Sequence, residues 1–272
     1  MKLSISNIAW QSEDEEQILE LLRNREVQNI ELAPTKKWAS PVNCTTAEVE
    51  EYKMFWKKSG FEPVAMQSLL FGQPELIMFG NENKRAQLLQ YLKKMIKLAG
   101  DLGTKAMVFG SPKNRLAGSL SVAQRLEIAE PFFYELGETA LEHNVLFCIE
   151  PNPVQYGCDF ITNTEEGIEF VRRVNHPGFR LHLDAAAMRL NEEDYFHSIE
   201  KSMPYLAHFH VSQPYLGLVG SDSAEHHKVI AHALRMMNYM NFISIEMKSG
   251  VLSSDEESVM TAVDFVKETY FM

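Results

Sequence analysis

Four side chains able to bind a metal recur at the ends of four strand-like runs. LFCIE closes on Glu150, FRLHLD closes on Asp184, AHFHV carries His210 just before its end, and FISIEM carries Glu246. The intervals between them are 34, 26 and 36 residues, each long enough for one strand, one helix and two loops. That spacing predicts that the four come together as the ends of neighbouring parallel strands. A carboxylate at the end of a buried strand is costly unless something cationic meets it. Three carboxylates and one imidazole make an oxygen-rich donor set, suited to Mn²⁺ or Mg²⁺ ahead of Co²⁺ or Zn²⁺. Four protein ligands leave two positions of an octahedron open, enough for the adjacent carbonyl and hydroxyl oxygens of a substrate. A metal held there stabilises the enediolate formed when the C–H between those oxygens loses its proton. Glu150 and Glu246 are expected to flank that carbon, one as base and the other as acid.

Each residue alone has a plainer reading. A strand-end Glu or Asp is more often an ion-pair partner or a helix cap, and a buried histidine is usually a hydrogen-bonded core residue. Four consecutive strands ending this way carry the metal reading. Alternate residues of a strand share a face, so Cys148, His182, His208 and Ser244 are expected one layer deeper beneath the four. His182 and His208 read as structural, with His208 also placed to orient a ligand. His226 and His227 read as the solvated start of a helix.

The elements needed to position these residues follow in order along the chain. Strand-like runs occupy Leu3–Trp10, Val27–Pro34, Pro63–Ser68 and Lys105–Gly110, then the four runs already named. Helical patterns separate them. One runs from the Thr45-Thr46 cap to Ser59-Gly60, another over Lys84–Leu102 with Gly103 behind it, and a third from about Val122 to Asn144. Thr164–Val174, Asn191–Met203, Ala224–Met240 and Ser254–Tyr270 complete the set. The connection LLFGQPELIMFGNEN is longer than most in compact domains. Eight β/α units in 272 residues match a (β/α)₈ TIM barrel, an α/β fold of roughly 250 residues with active sites at the C-terminal strand ends. Residues 1–272 are read as one such domain. A doubly wound open sheet would need a glycine-rich turn after the first strand, and Ile8-Ala9-Trp10-Gln11 is not one.

Composition narrows the partners. A net charge of −11, spread over helix-like segments, argues against nucleic acid or an anionic membrane as partner. The three cysteines, Cys44, Cys148 and Cys158, have neither CxxC spacing nor an even count, which points to a reducing, cytoplasmic setting. No stretch is long and apolar enough to span a membrane, and no signal-peptide pattern follows Met1. A homo-oligomer is compatible with this surface.

With these residues on the page, the chain resembles the sugar phosphate isomerases and epimerases of the xylose-isomerase-like barrel superfamily. Ketose 3-epimerases, hydroxypyruvate isomerases and inosose dehydratases are among its members. The resemblance is strongest from VFGSPKNR through LFCIEPNPVQYGCDFITNTEEGIEFVRRVNHPGFRLHLD to the HFHVS and SIEMK segments. It implies that Glu150, Asp184, His210 and Glu246 hold the metal. Two departures bear on substrate. Where ketose 3-epimerases place a histidine three residues after the strand-six Asp, this chain has Ala187. The loop after His210, VSQPYLGLVGSDS, has no arginine.

Other strand-end groups are candidates to replace them. Lys113 and Arg115 are placed to hold a phosphate or carboxylate. Glu31, Gln67, Asn152, Gln213 and Lys248 are candidates for hydroxyl recognition, and Trp10, Trp38 and Phe71 for an apolar wall. The expected protein is a divalent-metal-dependent isomerase or epimerase of a small polyhydroxy carbonyl compound, a sugar or sugar phosphate. An inosose-type dehydratase and a non-catalytic metal- or sugar-binding paralogue are the alternatives. An abasic-site endonuclease is disfavoured, because strands two to four offer no histidine and the chain lacks a basic face.

Overall fold

A computed structural model describes residues 1–222 and 224–272 in full and Ser223 by its backbone alone. Eight strands close into a barrel in the order β1 to β8, every neighbouring pair parallel. They are β1 (Lys2–Ser6), β2 (Asn29–Leu32), β3 (Glu62–Met66), β4 (Ala106–Phe109), β5 (Leu146–Ile149), β6 (Phe179–Asp184), β7 (Leu206–Ser212) and β8 (Phe242–Glu246). Helices α1 (Glu15–Asn24), α2 (Thr46–Ser59), α3 (Glu82–Leu102), α4 (Val122–Glu142) and α5 (Thr164–Val174) follow the first five strands. After β6 come α6 (Ala185–Leu190) and α7 (Tyr195–Ser202), then α8 (Ala224–Met236) after β7 and α9 (Asp255–Phe271) after β8.

Local chemistry sets the boundaries. Thr45 and Ser121 close capping boxes with Glu48 and Gln124 at the starts of α2 and α4. Gly60 and Gly103 end α2 and α3 in the left-handed region, which a residue without Cβ adopts without strain. Two expected strands are shorter than their apolar runs. β1 stops at Ser6, where Asn7–Ala9 turn into a 3₁₀ segment capped by the Ser6 hydroxyl, and β2 stops before Pro34 opens another. The expected helix Asn191–Met203 divides differently. The chain coils at once after Asp184 as α6, breaks at Glu192 with φ +54°, and restarts as α7 with Asp194 capping the His197 amide.

The main apolar core lies between barrel and helices. Ile5, Ile30, Leu32, Phe147, Leu181, Leu183, Phe209, Val211, Ile243 and Ile245 belong to one buried cluster with Trp56, Leu92, Phe133, Phe170, Ile230 and Val263 of the helical layer. The alternate strand residues include Ser4, Ser6, Glu31, His182, His208, His210 and Ser244, all buried. Barrel interiors are usually filled by bulky branched side chains, so this polar filling marks a place where the fold gives up apolar contact for chemistry.

Candidate metal centre

Strand register assembles the site. Asp184 pairs with His210 across β6 and β7, and Ser212 with Glu246 across β7 and β8, at the C-terminal ends of the strands. Glu150 follows Ile149, whose partner on β6 is Leu181. One ligand atom each from Glu150, Asp184 and His210 lie within 4.8 Å of one another. Glu246 reaches the same imidazole, with Oε2 3.3 Å from His210 Nδ1, and Asp184 Oδ2 lies 4.0 Å from that nitrogen. The structure thus brings together all four residues expected at the strand ends.

Each group is held from behind. Asp184 is both rim residue and helix cap: Oδ1 accepts the Ala187 amide at 2.7 Å, and the Ser212 hydroxyl donates to Oδ2. Ser212 in turn accepts the Ala186 amide. Gly110 leaves room for Glu150, since a Cβ there would stand 2.1 Å from Glu150 Oε2. Glu31, a candidate for hydroxyl recognition, lies beneath the site with no exposure. Its carboxylate accepts from His210 Nε2 at 3.0 Å and stands 3.3 Å from His208 Nε2. That bond puts a proton on Nε2 and leaves Nδ1 facing Asp184 and Glu246; burial would lower His210, but Glu31 and Glu246 hold it well above the usual imidazole range, so a metal would take the place of the Nδ1 proton.

The electrostatics describe a cluster that asks for a cation. Burial and the neighbouring Asp184 and Glu246 push the Glu150 carboxyl up to about 8. Burial and Glu246 raise Asp184 to about 6. Burial would raise Glu31 too, but His210 and His208 hold it well below the usual carboxylate range. His210 Nδ1 is buried and has no hydrogen-bond partner. A buried nitrogen without a partner costs about 1–3 kcal/mol, and a divalent cation bonded to it and to the carboxylates would remove both that cost and the carboxylate repulsion. The residues present therefore fit a divalent metal.

The three carboxylates, Glu150, Asp184 and Glu246, border a cavity of about 390 Å³ at the mouth of the barrel, with His210 buried behind them. Of the expected substrate groups, Asn152 and Gln213 line it. Gln67 is buried and donates to the Ser6 hydroxyl. Arg115 is wholly buried, with Nη2 donating to the Glu150 carbonyl at 2.6 Å, so it supports the β5 loop from behind. Lys113 and Lys248 are exposed, and neither borders the cavity. Trp10 and Trp38 are core residues, and Phe71 stands in solvent.

The wall facing the carboxylates is one that strand reasoning missed. Tyr156 and Tyr215 meet edge to face with ring centres 5.6 Å apart, the Tyr156 hydroxyl accepts the Tyr215 amide, and Leu216 and Ala186 continue the surface. Both tyrosines come from irregular loops, where no periodicity reveals orientation; Pro153 and Pro214 just ahead of them are the only local signal. His227 was expected at a solvated helix start and is instead buried.

A parallel eight-stranded barrel with a carboxylate–imidazole cluster at its C-terminal rim defines the class. Within it, the chain belongs to the family described as xylose isomerase-like TIM barrel, whose sequence model matches residues 19–269. No curated protein matches in sequence. Among solved structures, the chain is similar to D-psicose 3-epimerase with D-tagatose from Clostridium cellulolyticum H10, at 17% identity, TM-score 0.80 and coverage of 99% of each chain. It is also similar to the apo form of 3-keto-D-glucoside 4-epimerase, YcjR, from E. coli, at 14% identity and TM-score 0.80, covering 98% of this chain and 99% of that one. The IOLI protein with a binding zinc atom aligns over 100% of both chains, at 18% identity and TM-score 0.73. At these identities the likeness is one of fold.

Proposed function

We propose that this protein is a divalent-metal-dependent isomerase or epimerase of a small polyhydroxy carbonyl compound. Glu150, Asp184, His210 and Glu246 would hold the metal, with Mn²⁺ or Mg²⁺ suited to three oxygen donors and one nitrogen. The observation that carries the reading is the convergence of these groups at one end of the barrel, three carboxylates bordering the cavity and His210 Nδ1 within 4.0 Å of two of them. When bound, the cation supplies a Lewis acid for negative charge developing on the substrate's adjacent oxygens.

The chain's own residues supply the rest. Glu150 and Glu246 both border the cavity, so a substrate carbon between them has a carboxylate on either hand. One carboxylate takes the proton from the carbon next to the carbonyl, and the other returns a proton to the same or the adjacent carbon. Return to the same carbon from the opposite face is epimerisation, and return to the neighbour is isomerisation. Ser212 and the α6 amides keep Asp184 fixed, Glu31 anchors His210 through Nε2, and the tyrosine wall gives one side of the cavity a ring face for the substrate to pack on.

The experiment is solvent-deuterium incorporation into a panel of ketoses and ketose phosphates with Mn²⁺ added. Metal-dependent exchange that disappears in Glu246→Gln is the expected result. Metal and sugar binding without exchange would instead make the protein a sensor. Loss of a β-hydroxyl, read as new enone absorbance, would make it a dehydratase.

A further inference from the structure

A buried chain of hydrogen bonds leads from the cavity wall to the outer helices. Arg189 Nη1 donates to Gln213 Oε1 at 2.8 Å, Gln213 Nε2 lies 2.7 Å from His227 Nε2, and His227 Nδ1 lies 2.7 Å from the Tyr270 hydroxyl. The loop after β7, helix α8 and helix α9 each contribute one of the last three residues, and all three are buried. Neither the metal cluster nor the proton transfer uses His227 or Tyr270.

Donor and acceptor rules fix the protons in this chain. Guanidinium only donates, so Gln213 turns its oxygen toward Arg189 and its amide nitrogen toward His227. That amide nitrogen only donates, so His227 Nε2 accepts. A neutral imidazole then carries its proton on Nδ1 and gives it to the tyrosine oxygen. Burial, reinforced by His226 and Arg189, pushes His227 down to about 4, which keeps the ring neutral. The Gln213 amide therefore cannot flip without breaking two bonds at once. One amide hydrogen is engaged by His227; the other belongs to a side chain that lines the cavity beside Ser212 and Tyr215.

The rest of the lining sharpens what that hydrogen can meet. Among the described residues, no lysine or arginine borders the cavity: Arg115 lies behind the Glu150 backbone, and Lys113 and Lys248 are exposed outside it. Among the lining residues an anionic group would meet Glu150, Asp184 and Glu246 and no cationic side chain, the nearby Arg189 being bonded to the Gln213 oxygen. A neutral hydroxyl or carbonyl oxygen is the acceptor such a wall favours.

We propose that Gln213 is the specificity residue of this cavity, an amide donor aimed by the positioning residues His227 and Tyr270 at an uncharged oxygen of the ligand. It selects a free polyhydroxy carbonyl compound over its phosphate ester. The ligand class rests on the sugar reading given above, whereas the aim of Gln213 does not.

The test is side-chain amide NMR on ¹⁵N-glutamine-labelled, Mg²⁺-loaded protein, titrated with D-tagatose and with D-tagatose 6-phosphate. The two Gln213 amide protons are expected at well-separated shifts, one of them moving with D-tagatose. His227→Phe should collapse the separation and weaken D-tagatose binding roughly tenfold, the worth of one hydrogen bond. His227→Gln, whose side-chain oxygen still accepts, should retain most of both. Should His227→Phe fail to fold, Tyr270→Phe, which frees the imidazole tautomer, must reduce the same separation. Unchanged shifts and affinity in a folded His227→Phe would overturn the aim of Gln213. Tighter binding of the phosphate ester would overturn the ligand class. If neither sugar binds but the separation collapses in His227→Phe, the sugar reading and the ligand class fall while the aim of Gln213 stands.

Discussion

At the scale of single residues, the centre depends on groups that never touch the cavity. Glu31 is buried against two imidazoles, so Glu31→Gln removes the carboxylate that His210 donates to and that His208 stands beside. Breaking such a buried arrangement costs about 3–5 kcal/mol, and loss of an outer partner of a metal-binding histidine weakens metal affinity by roughly 10–100-fold. Urea unfolding and Mn²⁺ titration read these separately. A variant with native stability and native Mn²⁺ affinity would show that Glu31 is passive filler. Gly110 is the second such position. Gly110→Ala places a methyl where the Glu150 carboxylate now lies, 2.1 Å from Oε2, so the carboxylate must swing away. Mn²⁺ affinity should fall by about tenfold or more, at least the loss that follows when a group supporting a metal ligand is removed. The fold should survive, because the methyl meets a side chain that can rotate. Retained affinity in calorimetry would contradict the placement of Glu150.

At the scale of elements, strands were far more legible than connections. Runs such as AMVF before Gly110 and LFCI before Glu150 announce buried parallel strands, and the two-residue period puts Cys148, His182, His208 and Ser244 under the rim. Loops carry no such period. The sequence therefore did not reveal the Tyr156–Tyr215 wall, nor that Arg115 folds back under Glu150 while Lys113 stays in solvent. Glu31 was visible as a strand-end carboxylate, but its inward role depended on two histidines 177 and 179 residues away. The break between α6 and α7 was invisible because Asn191-Glu192-Glu193 are compatible with helix; the break lies in Glu192 adopting φ +54°. A glycine relieves that conformation, so Glu192→Gly should raise stability by about 0.5–1 kcal/mol. Thermal unfolding checks it, and a fall of that size would mean that the Glu192 side chain holds the break.

At the scale of the whole molecule, buried polar groups tie stability to pH. His227 is packed against Gln213, Tyr270 and the Phe265 ring, with His226 and Arg189 the nearby charges. Its folded value of about 4 lies below the ordinary 6.5, so the unfolded chain binds the proton more readily across that window. Its contribution is complete above about pH 6.5 and is lost as pH falls toward 4, a change of roughly 3 kcal/mol. Urea unfolding of wild type and His227→Gln at pH 7 and pH 4.5 should show a steeper loss for the wild type, and parallel losses would contradict a buried neutral imidazole. Beneath the rim, Glu31, His182, His208 and His210 fill one part of the barrel with polar groups, while Val64, Ala65, Ala106 and Cys148 form a small apolar cluster elsewhere in the strands.

The most direct measurement is an anomalous-difference map from crystals soaked in Mn²⁺. A single strong peak at the barrel mouth, at about 2.0–2.3 Å from carboxylate oxygens of Glu150, Asp184 and Glu246 and from His210 Nδ1, is the predicted result. A peak bonded elsewhere, or none at the rim under saturating Mn²⁺, would contradict it.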